Sequence, residues 1–586
     1  MEGSPPNQRT LVVGIDFGTT YSGVAYSTSD MTDHRVPCVS WPLSQTARDG
    51  GSGFKVPTTI RYIRRQSEFQ WGLQIPRSAH PDEIYRWFKL GLQSDHDRPA
   101  DLRKMLADHD TDRLVRDYLI GFGEHVMYFL GQHLGEQVLQ GYIERSAIQF
   151  VLTVPAVWSD LAKQKTLQAF EKVPSMSGIG GVTLVSEPEA AATYALHTMV
   201  QEASPLKAGQ SFIVLDAGGG TADLITYTIV DLHPVLQVRE AAKGSGDLCG
   251  GAFVDEAFKA HLQATLGHEE AFDNELLGEA VEAFDSGPKR QFSTSSLPNG
   301  VFSIPVGGMP NNVDLGIRNG RLNLRASEIY SMFEPVVLQI IRLTKEQIHA
   351  ASVPIDAVIL VGGFGTSMYL RERLKDEIEE KERIPIRFTN QSSLAVVYGA
   401  VMKGVANVAP EERTFLKVVD RAARSKLNIL KHYGVELGQV YDDELHRDLP
   451  SKRYWDGLDG CWRINTMTWF IRAGDRVAET KPYYHKFHHD SKVLYGRPEV
   501  ISMTIHADND SEEAPLTRNK NVKPLCRIEA DLSLIPTSHF RITRGRDGLD
   551  YYRVHCEVEV VYRSASTEYT LVHDGVHYKT VTAEYV

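Results

Sequence analysis

Two segments in the first half of the chain share one order of apolar and polar residues. The segments are Val12 to Gly23, VVGIDFGTTYSG, and Val214 to Leu224, VLDAGGGTADL. In each of them an apolar run ends at an aspartate. A turn of glycine and threonine follows each aspartate. Short apolar runs bounded by turn residues predict buried strands, so both segments are expected to form hairpins.

Helical periodicity appears between and after these segments. Apolar residues recur at helical spacing from Arg113 to Val138 and again from Ala326 to His349. A third glycine-rich turn ends the apolar strand of Ala357 to Gly365, and Ser367 to Glu382 predicts a helix just beyond it. Alternation between Asp314 and Leu324 predicts a small antiparallel insert. Strands that alternate with crossover helices indicate an α/β fold.

After about residue 420 the pattern becomes that of strands alone. Apolar and polar residues alternate from Tyr552 to Tyr562, which predicts a half-buried strand. Turn-rich stretches separate similar short runs at Trp462 to Arg472, Glu499 to His506, Arg527 to Leu534 and Tyr569 to Val572. This part of the chain is therefore expected to form an antiparallel β-domain of the sandwich type.

The turns of the two predicted hairpins have the composition of a phosphate-binding surface. Because polyphosphate is densely charged, a backbone that approaches it needs residues without a bulky Cβ, N–H donors and hydroxyl groups. The turns supply all three through Gly18, Thr19, Thr20, Gly218, Gly219, Gly220 and Thr221. A single hairpin of this kind is as typical of an ordinary glycine-rich turn as of a phosphate-binding site. Two in one chain favour a clamp around the phosphates of a nucleotide.

The aspartates that precede the two turns indicate a metal ion. Asp16 and Asp216 would repel phosphate, but their carboxylates suit a hydrated Mg²⁺ between protein and phosphates. Magnesium keeps much of its water and binds through one or two carboxylates plus substrate oxygens. Two similar hairpins predict two similar lobes with a cleft between them, and the third glycine-rich turn is expected to approach the sugar or base.

The order of these motifs resembles that of the actin, sugar-kinase and heat-shock-70 ATPase superfamily. Within it the chain is most similar to the heat-shock-70 (DnaK-like) chaperones, over roughly Leu11 to Val405. The resembling segments are GIDFGTTYSGVAY, VLTVPAVWSD, VSEPEAAATYAL, DAGGGTADL and VGGFGTSMYLRERL. The resemblance implies a two-lobed, actin-like α/β ATPase domain followed by a C-terminal antiparallel β-sandwich-like domain, with ATP or ADP and Mg²⁺ as cofactors.

The resemblance also implies roles for single residues in ATP hydrolysis. Lys89 corresponds to a lysine that orients the attacking water and contacts the γ-phosphate. Glu187 and Asp216 correspond to acidic residues around Mg²⁺ and that water, and Thr221 corresponds to a hydroxyl near the γ-phosphate. Asp223 corresponds to the acidic residue after the second hairpin. Such groups would act by positioning water and neutralising charge, so a weak ATPase activity is expected.

A further set of residues is expected to bind the nucleotide through its sugar, base or phosphates. The segment PKRQFSTS resembles the one that cradles adenine in the family. The resemblance makes candidates of Tyr21, Gly250, Gly251, Lys289, Arg290, Ser293, Gly362, Gly363 and Phe364. The adenosine turn departs from the family in having Phe364 for serine and Thr366 or a neighbour for arginine, so adenine selectivity is less securely implied than phosphate binding.

The motifs divide the chain into four expected parts. Residues 1–10 are expected to be a disordered tail, 11–410 the nucleotide-binding domain, 411–430 a linker and 431–586 the β-rich domain. In the resembled chaperones a β-sandwich holds extended hydrophobic peptides under a helical lid. This chain ends at HYKTVTAEYV, which is still strand-like, so the resemblance is to a divergent branch without that lid.

Composition narrows the partners and the location. The 586 residues include 63 Lys and Arg against 75 Asp and Glu, and this net charge of −12 disfavours nucleic-acid binding and anionic membranes. The polar N-terminus and the absence of a long apolar run favour a cytoplasmic protein without membrane insertion. The five cysteines have no CxxC spacing, as is typical of reduced thiols.

Three functions remain open from the sequence. The first is an ATP-dependent chaperone that binds unfolded or extended polypeptides, with J-domain co-chaperones and nucleotide-exchange factors as possible partners. The second is a nucleotide-binding switch or scaffold with negligible hydrolysis. The third, a sugar-type kinase, fits the β-domain poorly. A histidine cluster at His485, His488 and His489 is predicted to lie in a solvated loop and not to bind metal.

Overall fold

The computed structural model of the protein describes most of the chain. The described residues are 9–29, 38–41, 54–63, 68–76, 79–93, 110–201, 206–233, 236–294, 301–389, 391–408, 416–422, 432–472, 475–477, 482–508, 510–533, 535–562, 565, 567–573, 575–578 and 581–585. They form two compact units, Met1–Lys417 and Val418–Val586. Most of the predicted N-terminal tail and of the predicted linker lies outside the described residues. The described part of that linker, Leu416–Ala422, is a strand.

The first unit combines strands and helices. Its strands are β1 Leu11–Asp16, β2 Tyr21–Thr28, β3 Lys55–Pro57, β4 Thr59–Ile63, β5 Glu68–Trp71, β6 Ile84–Arg86, β7 Ile148–Val154, β8 Gly180–Ser186, β9 Ser211–Ala217, β10 Ala222–Asp231, β11 Leu236–Asp247, β12 Val301–Pro305, β13 Ile317–Arg318, β14 Arg321–Arg325, β15 Ala357–Val361 and β16 Ile386–Phe388. Its helices are α1 Thr111–Leu134, α2 Glu136–Glu144, α3 Asp160–Glu171, α4 Glu187–Gln201, α5 Ala252–Leu266, α6 Asn274–Ser286, α7 Pro288–Gln291, α8 Ala326–Ala350, α9 Met368–Leu374 and α10 Ala395–Val408.

Two sheets of the first unit repeat one arrangement. In the order β3-β2-β1-β7-β8, strand β1 pairs antiparallel with β2 and parallel with β7. In the order β16-β15-β9-β10-β11, strand β9 pairs antiparallel with β10 and parallel with β15. Each sheet therefore carries one antiparallel hairpin at an equivalent place. The part of the unit built on the sheet with β1 is called the first lobe, and the part built on the sheet with β9 is called the second lobe. The predicted α/β fold with two similar lobes is confirmed.

Helices α4 and α10 cross at a close contact in the first unit. Gly399 of α10 lies so near Ala190 of α4 that a Cβ on Gly399 would overlap the Ala190 carbonyl oxygen. Helix α10 also packs on β1, where Gly14 leaves no room for a Cβ against Val401. These glycines allow the helix backbones to approach, so they determine how closely the elements behind the first hairpin pack.

The helix predictions are confirmed with two changes. Helix α8 matches the predicted helical stretch and turns Ile329, Phe333 and Ile340 into the core of the second lobe. The periodic stretch at residues 113–138 is not one helix, because Gly135 adopts a φ of +92° between α1 and α2. Beyond the third glycine-rich turn, α9 continues into a π-helical turn, Lys375–Glu380.

The second unit is built from antiparallel strands. Strand β17, Leu416–Ala422, includes the last two residues of the first unit and the first residues of the second. The strands that follow are β18 His432–Val440, β19 Arg453–Asp456, β20 Cys461–Ile471, β21 Arg476–Val477, β22 Tyr483–Lys492, β23 Val500–Asp508, β24 Val522–Asp531, β25 Arg541–Arg544, β26 Asp550–Tyr562, β27 Thr567–His573, β28 Val576–Tyr578 and β29 Val581–Tyr585. One sheet has the order β19-β20-β18-β23-β24-β29, and a second has the order β22-β26-β27-β28, with β25 beside β26.

The two sheets of the second unit share a core. Val435, Ile505 and Ile528 of the first sheet pack in one cluster with Val558 and Val560 of the second. Side chains from two sheets that meet in one apolar layer define a sandwich. The predicted C-terminal sandwich is therefore confirmed.

The histidine-rich segment is a strand and not the predicted loop. His485, His488 and His489 lie on β22, which pairs with β26. The alternation in YYHKFHHD has the period of a strand, and its polar composition concealed that period. Within the described part of the chain, no group of three His, Cys, Asp or Glu side chains could hold a metal ion. Among the described helices, none has the length and apolar composition needed to cross a bilayer.

Candidate functional site

The turns of the two glycine hairpins meet at their tips. A Cβ on Gly219 would overlap the Thr20 hydroxyl oxygen, and a Cβ on Gly220 would lie 2.6 Å from Cγ2 of Thr19. Only glycine can occupy these two positions at this separation, because any other residue would push the turns apart. The hairpins of the two lobes therefore present their backbone and hydroxyl groups to one small region.

Each turn is braced from behind. Thr58 supports the first turn, donating from its N–H to the Thr20 carbonyl at 2.8 Å and from Oγ1 to the Gly18 carbonyl at 2.8 Å. The segment before α5 supports the second, since the N–H of Gly250 donates to the Gly220 carbonyl and that of Gly251 to the Gly218 carbonyl. These hydrogen bonds fix the backbone of both turns.

The third glycine-rich turn contacts the second hairpin. Gly362 ends β15 with a φ of +89°, a left-handed conformation that favours glycine. A Cβ there would overlap the Asp216 carboxylate and the Ala217 carbonyl oxygen. Gly363 is exposed. The structure therefore brings Gly362 directly behind Asp216, one of the two aspartates predicted to face a metal ion.

Lys89 is fully buried and paired with Glu187. It lies on a one-turn 3-10 helix, Phe88–Leu92, and its Nζ donates to Oε1 of Glu187 at 2.7 Å. The ammonium also lies 5.1 Å from the centre of the Trp158 ring and 5.5 Å from that of Phe17. Aromatic faces stabilise a cation at such distances. Two residues from distant parts of the sequence, Lys89 and Glu187, thus form one charged pair beside the first hairpin.

Four carboxylates and two ammonium groups lie together beside the two turns. Lys55 Nζ donates to Oδ2 of Asp16 at 2.8 Å. On the other hairpin, Asp216 and Asp223 are cross-strand neighbours on β9 and β10. Together with the pair formed by Lys89 and Glu187, these groups carry an excess of negative charge when all are ionised. Such a cluster favours a further cation.

The pKa values of these carboxyl groups record their crowding. Burial, followed by the charges of Glu187, Asp223 and Asp16, raises the pKa of Asp216 well above its usual value. Burial and the nearby Glu187 raise the pKa of Asp223 to about 7. Burial also raises the pKa of Glu187, although Lys89 opposes that shift. Like charges held in a low-dielectric site resist ionisation until a cation neutralises them.

The donor set fits Mg²⁺ and phosphate. The described residues around Asp223 leave its buried Oδ1 without a hydrogen-bond partner. Among the described residues, no three of these carboxylates are placed so that they could bind one metal ion together. A cation here would therefore need oxygens from a ligand as well. That requirement is typical of Mg²⁺ bound through one or two carboxylates and phosphate oxygens. Asp16 borders the first turn, and Asp216 and Asp223 border the second; Asp16 and Asp216 are the two that the sequence predicts to face the metal ion.

The residues expected around the base form a second polar group. Lys289 Nζ donates to Asp255 at 2.6 Å and to Asp285 at 2.9 Å. Desolvation, together with Asp285 and Asp255, raises the pKa of Tyr21 to about 12, while Lys289 and Arg290 oppose it. Tyr21 is the first residue of β2 in the first lobe. Its hydroxyl lies within electrostatic reach of Asp285, Asp255 and Lys289 in the second lobe. Arg290 is exposed.

The remaining candidates, Phe364 and Ser293, have buried side chains. Phe364 is buried, with its ring 6.2 Å from that of Phe333, and it lies 2.9 Å from the Cβ position of Gly251. Ser293 is also buried, after the short helix α7. The Phe364 side chain thus belongs to the core of the second lobe, and a ligand could meet mainly its backbone.

Sequence reasoning missed several side chains of the site, among them Lys55 and Trp158. Lys55 contacts Asp16, and Trp158 contacts Lys89, although neither was selected as a candidate. The only sequence signal for Trp158 was its place in the segment VLTVPAVWSD. For Lys55 the signal was its place at the start of a short strand before Thr58. The pattern of residues alone does not show that this strand brings Lys55 next to Asp16.

Comparison with known proteins identifies one family. The family described as Hsp70 protein matches residues 125–421, which is just over half of the chain. The matched region includes the second hairpin, Glu187, the segment with Lys289 and the third glycine-rich turn. It starts after the first hairpin and Lys89.

Individual relatives extend over more of the chain. Heat shock 70 kDa protein 12A of Homo sapiens is 25% identical over 552 residues, which cover 80% of this chain and 78% of that protein. Chaperone protein HscA homolog of Rickettsia africae is 23% identical, covering 96% of this chain and 82% of its own length. Chaperone protein DnaK of Thermosipho melanesiensis is 26% identical, over 69% of this chain and 61% of that protein.

Proposed function

The chain belongs to the heat-shock-70 family, and on that premise we propose that its first unit binds ATP and ADP with Mg²⁺ and hydrolyses ATP slowly. The observation that carries the proposal is the convergence of two braced glycine turns above a cluster of carboxylates and lysines. Backbone N–H groups and hydroxyls from both lobes could then contact one polyphosphate. A bound nucleotide would connect the two lobes.

The buried charges suggest how the chain would promote hydrolysis. Lys89, held by Glu187 at 2.7 Å, is a fixed ammonium that could orient a water molecule toward the terminal phosphate. Asp223, directly opposite Asp216 on the second hairpin, could accept a proton from that water. The Thr221 hydroxyl would contact a phosphate oxygen at the tip of the second hairpin. Phosphoryl transfer needs positioning and charge stabilisation more than covalent catalysis.

Asp16 and Asp216 would hold the metal ion. Their carboxylates lie at the bases of the two turns, and the negative excess of the cluster suits a divalent cation. Bound Mg²⁺ would neutralise charge on the phosphate oxygens. Positioning of the nucleophile would remain with Lys89 and Glu187.

The base side of the site would bind adenine less selectively than the hairpins bind phosphate. Lys289 has two carboxylate partners, so a nucleoside that uses it must share it with Asp255 and Asp285. Arg290, Ser293 and Tyr21 complete this proposed surface. The proposal predicts that changing the base weakens binding less than shortening the phosphate chain.

The second unit is proposed to bind extended polypeptides. Its edge strand β19 pairs with β20, and in that register Trp455 faces Trp462 with ring centres 5.5 Å apart. Trp455 is 57% exposed and Trp462 is 43% exposed, although tryptophan usually lies largely inside proteins. An edge strand with exposed aromatic residues could add an extended peptide as a further strand. J-domain co-chaperones, nucleotide-exchange factors and a cytoplasmic location are part of this proposal.

A steady-state phosphate-release assay tests the enzymatic part of the proposal. The wild type should release phosphate from MgATP, while Lys89→Ala and Asp216→Ala should release far less. Equal release from all three proteins would mean that the release comes from a contaminating ATPase and not from the proposed site, which would overturn the proposal. Binding of MgATP without release would favour the switch or scaffold, and stimulation by glucose or glycerol would favour a kinase.

A further inference from the structure

Asp16, Gly23 and Lys55 lie side by side on three neighbouring strands. In the sheet register, Asp16 of β1 is opposite Gly23 of β2, and Gly23 is opposite Lys55 of β3. Directly paired residues project from the same face of a sheet. Because Gly23 has no side chain, Lys55 can cross the middle strand and reach Asp16 with its ammonium, 2.8 Å from Oδ2.

The crossing is close and leaves little freedom. A Cβ on Gly23 would lie 3.2 Å from Cγ and 3.6 Å from Cε of Lys55. The Lys55 side chain is 21% exposed and that of Asp16 is 6% exposed, so the pair is not an ordinary surface salt bridge. The aliphatic part of the Lys55 side chain therefore lies along Gly23, and its ammonium lies beside Asp16 at the turn of the first hairpin.

Several carboxylates face this ammonium. Asp16 is its hydrogen-bond partner at 2.8 Å, and Asp216 and Glu187 lie within electrostatic reach of it. A lysine with such partners carries its positive charge at neutral pH. The second oxygen of Asp16 lies 3.5 Å from the Thr153 hydroxyl, so both oxygens of the proposed metal ligand have neighbours in the chain.

We propose that Lys55 is a positioning residue that shares Asp16 with Mg²⁺ and makes nucleotide binding partly independent of the metal. The inference rests on the proposed nucleotide site. A fixed ammonium beside the turn of the first hairpin supplies part of the positive charge that offsets the charge of the phosphates. Lys55 also lies outside the motifs that carry the family resemblance and before the matched residues 125–421.

Calorimetric titration of the full chain with ATP tests this inference without measuring turnover. Titrations with excess Mg²⁺ and with EDTA give two dissociation constants for ATP. The constant in EDTA divided by the constant in Mg²⁺ measures how strongly ATP binding depends on the metal. For the wild type we expect a ratio below about tenfold. Lys55→Met should raise the ratio by roughly tenfold to a hundredfold, the value of one charge-assisted hydrogen bond. Lys55→Arg should keep most of the wild-type behaviour.

Two controls separate a local effect from misfolding. Lys207→Met removes an exposed lysine far along the chain and should leave the ratio unchanged. Gly23→Val displaces the Lys55 stem without removing a charge, so it should raise the ratio as Lys55→Met does. If Lys55→Met does not fold, the wild-type ratio and Gly23→Val still decide the question.

The outcomes for this inference and for the proposed function differ. A wild type that binds ATP only with Mg²⁺, or a ratio that Lys55→Met and Gly23→Val leave unchanged, would overturn the role of Lys55 while leaving nucleotide binding intact. A folded wild type that binds no nucleotide under either condition would overturn both.

Discussion

Gly219 of the second hairpin lies against the hydroxyl of Thr20 in the first hairpin, so closely that a Cβ on Gly219 would overlap that oxygen. The contact joins two turns that are far apart in sequence and belong to different lobes. It depends on the absence of a side chain at position 219. The approach of the two turns is therefore open to test by a single methyl group.

Gly219→Ala is expected to weaken nucleotide binding while leaving each lobe folded. The added Cβ forces the turns apart, so groups from both lobes cannot contact the same phosphates, and the dissociation constant for MgATP should rise roughly tenfold or more. Titration calorimetry measures this change. Gly307→Ala is the matched control, since a Cβ there meets nothing within 4 Å. Unchanged affinity in Gly219→Ala would contradict the clamp.

Lys89→Met should both stop phosphate release and destabilise the protein. The substitution leaves Glu187 buried without its cationic partner, and breaking a buried ion pair costs about 3 to 5 kcal/mol. Denaturant unfolding of the first unit measures the loss of stability.

The double variant Lys89→Met with Glu187→Gln separates the two effects. It removes the buried charge along with its partner, so most of the stability should return while phosphate release stays absent. Recovery of release in the double variant would show that Lys89 has only a structural role.

Gly399→Ala should destabilise the first unit through the crossing of α4 and α10. Its Cβ would overlap the Ala190 carbonyl oxygen, and overpacking of this kind costs about 1 to 3 kcal/mol. Gly141→Ala makes the same change within α2, where the nearest atoms belong to the flexible Arg145 side chain. That control should stabilise by about 0.5 to 1 kcal/mol. Equal effects in thermal unfolding would argue against the close crossing.

Trp455→Ala and Trp462→Ala should weaken binding of an extended apolar peptide. Each substitution removes one ring of the exposed pair on β19 and β20, and affinity measured by fluorescence anisotropy should fall severalfold or more. ATP binding should not change. Tyr495→Ala, which removes an aromatic residue that is 78% exposed elsewhere in the same unit, is the control. A loss as large in the control would mean that binding is nonspecific.

The main elements of the fold followed from local sequence patterns. The two hairpins were predictable because apolar strands, terminal aspartates and glycine turns are adjacent in sequence. The antiparallel sandwich followed from alternation with a period of two. The break at Gly135 was missed because apolar spacing continues through it, and strand β22 was missed because its polar histidines hide the alternation.

The site was less accessible to sequence reasoning where it depends on register. The contact of Lys55 with Asp16 requires three strands to align and Gly23 to lie between them, which no local pattern encodes. The paired environment of Lys289 likewise depends on how α5, α6 and α7 pack. Long-range pairings of this kind are set by the assembled sheet and helices, so they emerge only with the structure.

Titration of the folded 586-residue wild-type chain with MgATP and with MgADP tests the central claim most directly. The account predicts measurable heat and saturable one-site binding for both nucleotides, with weaker binding in Gly219→Ala and unchanged binding in Gly307→Ala. Protein that is folded by circular dichroism yet gives no binding heat with either nucleotide, at several temperatures, would contradict it.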